Sequence, residues 1–296
     1  MFRTKLAPAP LAALALIALA SSALAQSAPT LDAPPEPPAD ALPLKLSMSY
    51  DGKVVVKILQ VDIDEEAGPK AYAAKAHLRT YGVLALFRKI NLHANSVGRI
   101  VGDKVIPSAF FHHNTDGKRE RRVKTAWTRT DVATASEPPF EFLGDPAATK
   151  SQKLEAIDPL SQFVRIALKT VKGDNPCGDS GRFFDGKQRY DVDFIPEGPG
   201  QIGEREKRLG LTKAVKCRMH YRPVAGFKKK SAEEKQEGLK KDVVAEIARV
   251  GLDGPWVINT MKADTRFGQA TLVLTKLTVK GALDEVEQRN PVVATN

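Results

Sequence analysis

The sequence predicts a mainly β protein: an antiparallel meander forming a curved sheet, an open barrel or a sandwich, with one amphipathic helix at about 158–172 packed on it. Three observations carry this expectation. Apolar and polar residues alternate with period two in several separate segments, as they do in half-buried strands. Asp-Gly pairs at 51–52, 116–117, 185–186 and 253–254 punctuate the chain, and glycine in such a pair accepts the positive φ of a tight turn. One segment alone carries a long helical stripe. Hairpins in series give a meander rather than βαβ units.

The first 25 residues read as an address. Arg3 and Lys5 precede the apolar run Leu11 to Ala20, and Ala23-Leu24-Ala25 offers small residues to a signal peptidase, with the cut after Ala25. That run is shorter than the roughly 20 residues a membrane span needs. Residues 26–43 are proline-rich and poor in apolar bulk, so a disordered linker is expected there. A single β-rich domain is expected over 44–283, followed by a flexible tail at 284–296.

Within the domain, Leu46, Met48 and Tyr50 share one face of a strand. Tyr72, Ala74, Ala76 and Leu78 do the same, as do Tyr190, Val192 and Phe194, and Val215, Cys217, Met219 and Tyr221. Two runs, Val54 to Val61 and Thr271 to Val279, are apolar on both faces for part of their length. Such strands are covered on the second face or line a cavity. A curved sheet with a lipid-sized interior and a plain two-layer sandwich both produce that pattern. Asp158 and Pro159 suit a helix start, and Leu160, Phe163, Val164, Ala167, Leu168 and Val171 form one stripe, with Gly173 placed to end it. Glu137 to Ser151 reads as a loop.

The net charge is +10, of which Arg3 and Lys5 belong to the leader. An exported basic chain is biased toward anionic neighbours such as lipid headgroups or acidic envelope polymers, and nucleic acid is not an expected partner. The densest basic stretch, Lys118 to Arg129, fits a solvated edge strand, where cations discourage aggregation, better than a stacking platform for a polyanion. The charged run Lys228 to Asp242 reads as a short exposed helix or a loop without function.

Cys177 and Cys217 are the only cysteines, and an oxidising compartment favours a disulfide between them. They lack the Cys-X-X-Cys spacing of a redox pair. Cys177-Gly178-Asp179-Ser180-Gly181 copies part of a serine-protease nucleophile loop, and His77 precedes it in chain order. His77 sits on the polar face of its strand, however, and Arg182 stands where a glycine would be expected. His112 and His113 are adjacent, so a strand would send them to opposite faces, while His93 and His220 are isolated. No metal site, cofactor or catalytic residue is assigned.

Several short segments resemble the exported bacterial family called domain of unknown function 3108. They are Tyr50-Asp51-Gly52, Thr80-Tyr81-Gly82, Gly102 to Phe111, Asp158-Pro159-Leu160-Ser161, Phe184 to Tyr190 and Phe267-Gly268-Gln269-Ala270. The resemblance implies an exported antiparallel β protein with no assigned catalytic residue. Residues and resemblance together lead to an expected periplasmic, non-enzymatic protein that binds an amphiphile or an anionic cell-envelope component in a concave β-sheet. The ligand-binding residues are not identifiable at this stage. A serine hydrolase using Ser180 and a purely structural envelope protein are the alternatives.

Overall fold

The computed structural model describes residues 43–82, 89–115, 120–169, 175–228, 243–265 and 268–281, together with Leu31 and Ala85. The leader, nearly all of the linker, the tail, the Asp116-Gly117 pair, Gly173 and the charged run beyond Lys228 lie outside the described residues. Thirteen strands follow in order: β1 (Leu44–Lys53), β2 (Lys57–Ala67), β3 (Ala71–Thr80), β4 (Asn91–Val101), β5 (Lys104–Asn114), β6 (Arg121–Trp127) and β7 (Val132–Glu137). Helices α1 (Lys150–Leu154) and α2 (Pro159–Leu168) come next. Then follow β8 (Asp179–Phe184), β9 (Arg189–Pro199), α3 (Glu204–Arg208), β10 (Leu211–Ala225), β11 (Val243–Val250), β12 (Trp256–Thr265) and β13 (Gly268–Lys280).

All thirteen strands join one antiparallel sheet in the order β7-β6-β5-β4-β3-β2-β1-β13-β12-β11-β10-β9-β8. The chain meanders outward from β1 to β7, crosses through α1 and α2 to the opposite edge, and meanders back. Its first and last strands therefore meet mid-sheet, with Leu46 opposite Val279 and Met48 opposite Leu277. The sheet is curved and unclosed, so its two edges are β7 and β8. Ile157 bridges in parallel to Phe183 and shields part of the β8 edge.

The alternation read from the sequence sets which face is concave. Leu46, Met48, Tyr50, Ile63, Tyr72 and Ala74 are all buried. The outward partners Lys45, Ser47, Asp64 and Lys75 are exposed or half-buried. α2 lies in the concavity, against β3, β4, β5, β8 and β12. The stripe residues Leu160, Val164 and Ala167 pack with β1–β5, Phe163 touches both apolar clusters, and Ile166, outside the stripe, packs with Phe183, Phe194, Cys217 and Trp256. The interior is thus filled by the protein's own helix over much of its length. The lipid-sized interior considered from the sequence is not present there, because the amphipathic helix needs the same apolar surface.

The start of α2 is fixed by a buried polar cluster. Asp158 caps the helix, its Oδ1 accepting from the Leu160 and Ser161 amides at 3.0 Å each. Its Oδ2 accepts from the Ser96 hydroxyl on β4 at 2.8 Å and from the Ser161 hydroxyl. The Tyr72 phenol on β3 reaches Ser161 Oγ at 2.5 Å. Tyr72 can lie there because it faces Gly98, where a Cβ would fall 2.5 Å from its ring. Ser161→Ala is expected to cost about 1–3 kcal/mol, since it strands a buried phenol and removes a donor to the cap. Urea unfolding checks this, and a change below about 0.5 kcal/mol would show that the cluster does not pin the helix.

The sheet's two ends come together through the β8–β9 turn. His112 Nε2 lies 3.1 Å from the Asp185 carbonyl, and Trp127 meets Phe184 edge-on at 6.5 Å. Gly186, at φ +98°, sits under β6, where any side chain would collide with Val123 and Thr125.

Three sequence expectations are corrected. Asp51-Gly52 is not a turn: it lies inside β1, and the chain reverses at Val54–Val56. Consequently Val54 to Val61 is not one strand, because β2 begins at Lys57. The basic stretch is not an edge strand either. β6 pairs with β5 on one side and β7 on the other, and its cations are used laterally: Arg122 with Glu137, and Arg121 over the Phe140 ring. An edge and an interior strand carry the same alternation, so only the pairing tells them apart.

Candidate functional site

Among the described residues, the curved sheet leaves an apolar opening at the end away from the α2 cap. It is a pocket of about 240 Å³ lined by β1, β2, β11, β12 and β13. Registration explains its walls. Gly52 faces Leu59 on β2 and Leu272 on β13; Leu272 faces Met261 on β12; Ala263 faces Ala270. These residues continue the concave face that carries Tyr50 and Leu274 further in. Tyr50 is 1% exposed and Leu274 is fully buried, so the opening stops at their level. The space arises from residue size: Gly52, Ala263 and Ala270 place almost nothing into it, while Leu59, Met261, Leu272 and Val243 supply apolar wall.

The rim is cationic and amphipathic. Lys53 and Lys262 line the pocket. Lys57 sits beside them, paired with Asp51 at 2.7 Å and lying 4.9 Å from the centre of the Tyr81 ring. Arg79 stacks on the same ring at 5.3 Å. The arrangement is an apolar slot to which Lys53 and Lys262 contribute wall, alternating along their strands with the concave-facing Gly52 and Met261. Such a slot can hold a hydrocarbon segment.

Deeper on the same face, Glu65 is 3% exposed and its Oε1 has no hydrogen-bond partner. It faces Leu46 and Ala74 across the strands. Burial pushes its carboxyl up to about 8. At the level where the pocket ends, α3 sends Arg205 to the Leu274 carbonyl and to Asn259 Oδ1 at 2.8 Å. Hydrogen bonds from Arg205 and Asn259 outweigh partial burial and hold Glu206 down at about 2.

The sequence candidates fall elsewhere. Cys177 and Cys217 do form a disulfide, with Cα atoms 5.5 Å apart, and both are buried. It fastens the entry to β8 onto β10, against Ile166 of α2. Ser180 lies on the convex face, its hydroxyl donating to Asp193 Oδ1 at 2.7 Å. Asp193 pairs with Ser180 on one side and with His220 on the other. A carboxylate thus occupies the seat that an imidazole needs in a triad. Arg222 also holds that carboxylate, and hydrogen bonds from Ser180 and Arg222 lower its pKa. His77 is on β3, its ring stacked on His93 at 4.1 Å and its Nε2 2.6 Å from Asn91 Oδ1.

His93 and His113 face one another across β4 and β5, and His77 continues the row. His112 points to the other face, as expected. Among the described residues no three His, Cys, Asp or Glu side chains converge as metal ligands. Sequence reading missed the pocket because its lining comes from five strands, and its signal is a deficit of side-chain volume rather than a motif. Gly52 in a strand interior, reassigned from the turn, was the one trace.

No helix among the described residues is long and apolar enough to cross a membrane. No family model matches the chain. No curated protein matches it. Among solved structures, the crystal structure of a beta-barrel-like protein of domain of unknown function DUF1849 from Brucella abortus matches with a TM-score of 0.48 and 10% identity, over 81% of this chain and 98% of that one.

Proposed function

We propose that this is a non-enzymatic periplasmic protein that binds a single-chain anionic amphiphile, with the hydrocarbon in the β1–β2–β12–β13 pocket and the head beside Lys53 and Lys262. The observation that carries the reading is the pocket itself: an apolar slot opened by small residues, with Lys53 and Lys262 among those that line it. Its volume exceeds the roughly 150 Å³ of a dry cavity that takes benzene. It falls short of the roughly 300–1,000 Å³ of sites that enclose a whole drug-sized ligand. A short alkyl segment matches that space, with the remainder of the ligand outside. The disulfide and the leader-like start support an oxidising, extracytoplasmic compartment. Kinship with domain of unknown function 3108 belongs to the same reading and rests on the short motifs quoted above.

A dansylated fatty acid tests the assignment. Its fluorescence is expected to rise on binding and to be displaced by unlabelled fatty acid. Ala270→Trp, which fills the slot from its mouth, is expected to weaken binding at least about tenfold, the loss of roughly two buried methylenes. Lys53→Glu combined with Lys262→Glu is expected to weaken the fatty acid but not its methyl ester. Equal binding by the wild type and the Ala270→Trp variant would remove the pocket as the site.

A further inference from the structure

We infer that the β1–β2 hairpin tip is a docking point for an anionic lipid bilayer, setting the mouth of the pocket against the membrane surface. The inference rests on the pocket reading only for its purpose; the contact itself stands on the valine tip, which lines no part of the pocket. The tip is Lys53-Val54-Val55-Val56-Lys57. Val55 is 89% exposed and Val56 57% exposed, side by side at the end of one hairpin. Adjacent bare valines at a turn are costly in water and are not required there by the fold, since turns are served by Gly, Asn, Asp and Pro.

The tip's surroundings match a lipid interface. Lysines bracket the valines on both sides, and Lys262 stands two strands away on β12, across β13 from β1. Tyr81 lies at the same end, its backbone N–H bonded to the Ile58 carbonyl and its ring under Lys57 and Arg79. A tyrosine between cations at the base of an aliphatic tip is the side-chain set of a headgroup region, with apolar atoms entering the acyl boundary and ammonium groups on the phosphates. The pocket opens directly beside the tip: Gly52 and Lys53 line it, and Val54 packs within 3.9 Å of the position a side chain on Gly268, the first residue of β13, would take. The net charge of +10, of which Arg3 and Lys5 lie in the leader, leaves 10 − 2 = +8 to favour an anionic surface over a neutral one.

The opposite end of the sheet supplies an internal control. Leu252, in the turn between β11 and β12, is 81% exposed. It is separated from the pocket end by the length of β11, about 25 Å at the usual rise of a strand.

The experiment places an environment-sensitive fluorophore at Val55→Cys or, in a second protein, at Leu252→Cys, both in the full chain with its buried disulfide intact. Each is mixed with vesicles of phosphatidylcholine alone or of equal parts phosphatidylglycerol and phosphatidylcholine. The expected result is a severalfold rise and blue shift at position 55 with the anionic vesicles only, and no change at position 252. Val56→Asp in the Val55→Cys protein is expected to lower vesicle affinity about tenfold or more, the value of one exposed valine's transfer. No response at 55, an equal response at 55 and 252, or an equal response to neutral vesicles would overturn the inference. Fatty-acid binding by the Val56→Asp protein separates the two readings: retained, it shows that the pocket works without the docking tip; lost, it shows that the tip residues serve the pocket instead, which also overturns the inference.

Discussion

Glu65→Gln is expected to stabilise the protein by about 3 kcal/mol at pH 7 and to leave it unchanged near pH 4. The carboxyl is buried between Leu46 and Ala74 with one oxygen unpartnered, and burial raises its folded-state pKa from 4.5 to about 8. The folded state therefore keeps a proton that the unfolded state gives up above pH 4.5. Stability contributed by the neutral acid is present in full below 4.5, falls as pH rises through the window to 8, and is then fully lost. Glutamine keeps the size and cannot ionise, so it removes that slope. Urea unfolding of both proteins between pH 4 and pH 8 checks the point. Curves that stay parallel across the window would show that Glu65 is ionised and satisfied in the fold. A carboxyl left uncompensated at such a cost stands out in a concave face that is otherwise apolar or hydrogen-bonded. The same burial, reinforced by the Glu65 charge, lifts the Tyr50 phenol above its ordinary range.

Removing the disulfide through Cys177→Ala and Cys217→Ala together is expected to cost about 4 kcal/mol. The bridge closes a separation of 40 residues, and restricting that loop in the unfolded chain accounts for the figure. Replacing both sulfurs avoids leaving a free buried thiol. The effect should be large here for a topological reason. β8 is an edge strand, paired with β9 along its length and only bridged at Ile157 on its other side, and the disulfide ties its start to β10. The thermal midpoint under oxidising conditions, compared with the double variant, reads the effect. A difference under about 1 kcal/mol would mean that the bridge restates contacts already made by Phe183, Phe194 and Ile166.

Much of the architecture was legible along the chain because its signals are local. Met48 and Tyr50 alternate with Ser47 and Ser49 whatever they pair with, and the stripe of Leu160, Val164 and Ala167 marks a helix wherever it docks. Asp158 is a cap whether buried or exposed. The disulfide followed from compartment and an even count. Misreadings came where a local signal had two tertiary outcomes. Asp51-Gly52 is a hairpin pair in composition, but here Gly52 serves as a thin place in a strand wall. The basic run at Arg121–Lys124 reads alike on an edge and on the next strand in. Ser180 has the neighbours of a nucleophile in sequence and a carboxylate for a neighbour in space.

By itself, the order of residues determined the β class, the faces of most strands, the helix with its cap, and the sulfur pair, since each depends on residues a few positions apart or on counting. Tertiary structure alone decided that the first and last strands meet mid-sheet, that α2 occupies the concavity, that Glu65 is sealed beneath the core, and that an apolar slot remains beside an exposed valine tip. Those outcomes depend on which distant strands share a register and on where side-chain volume is missing once they do. Neither quantity is written in any single stretch of chain.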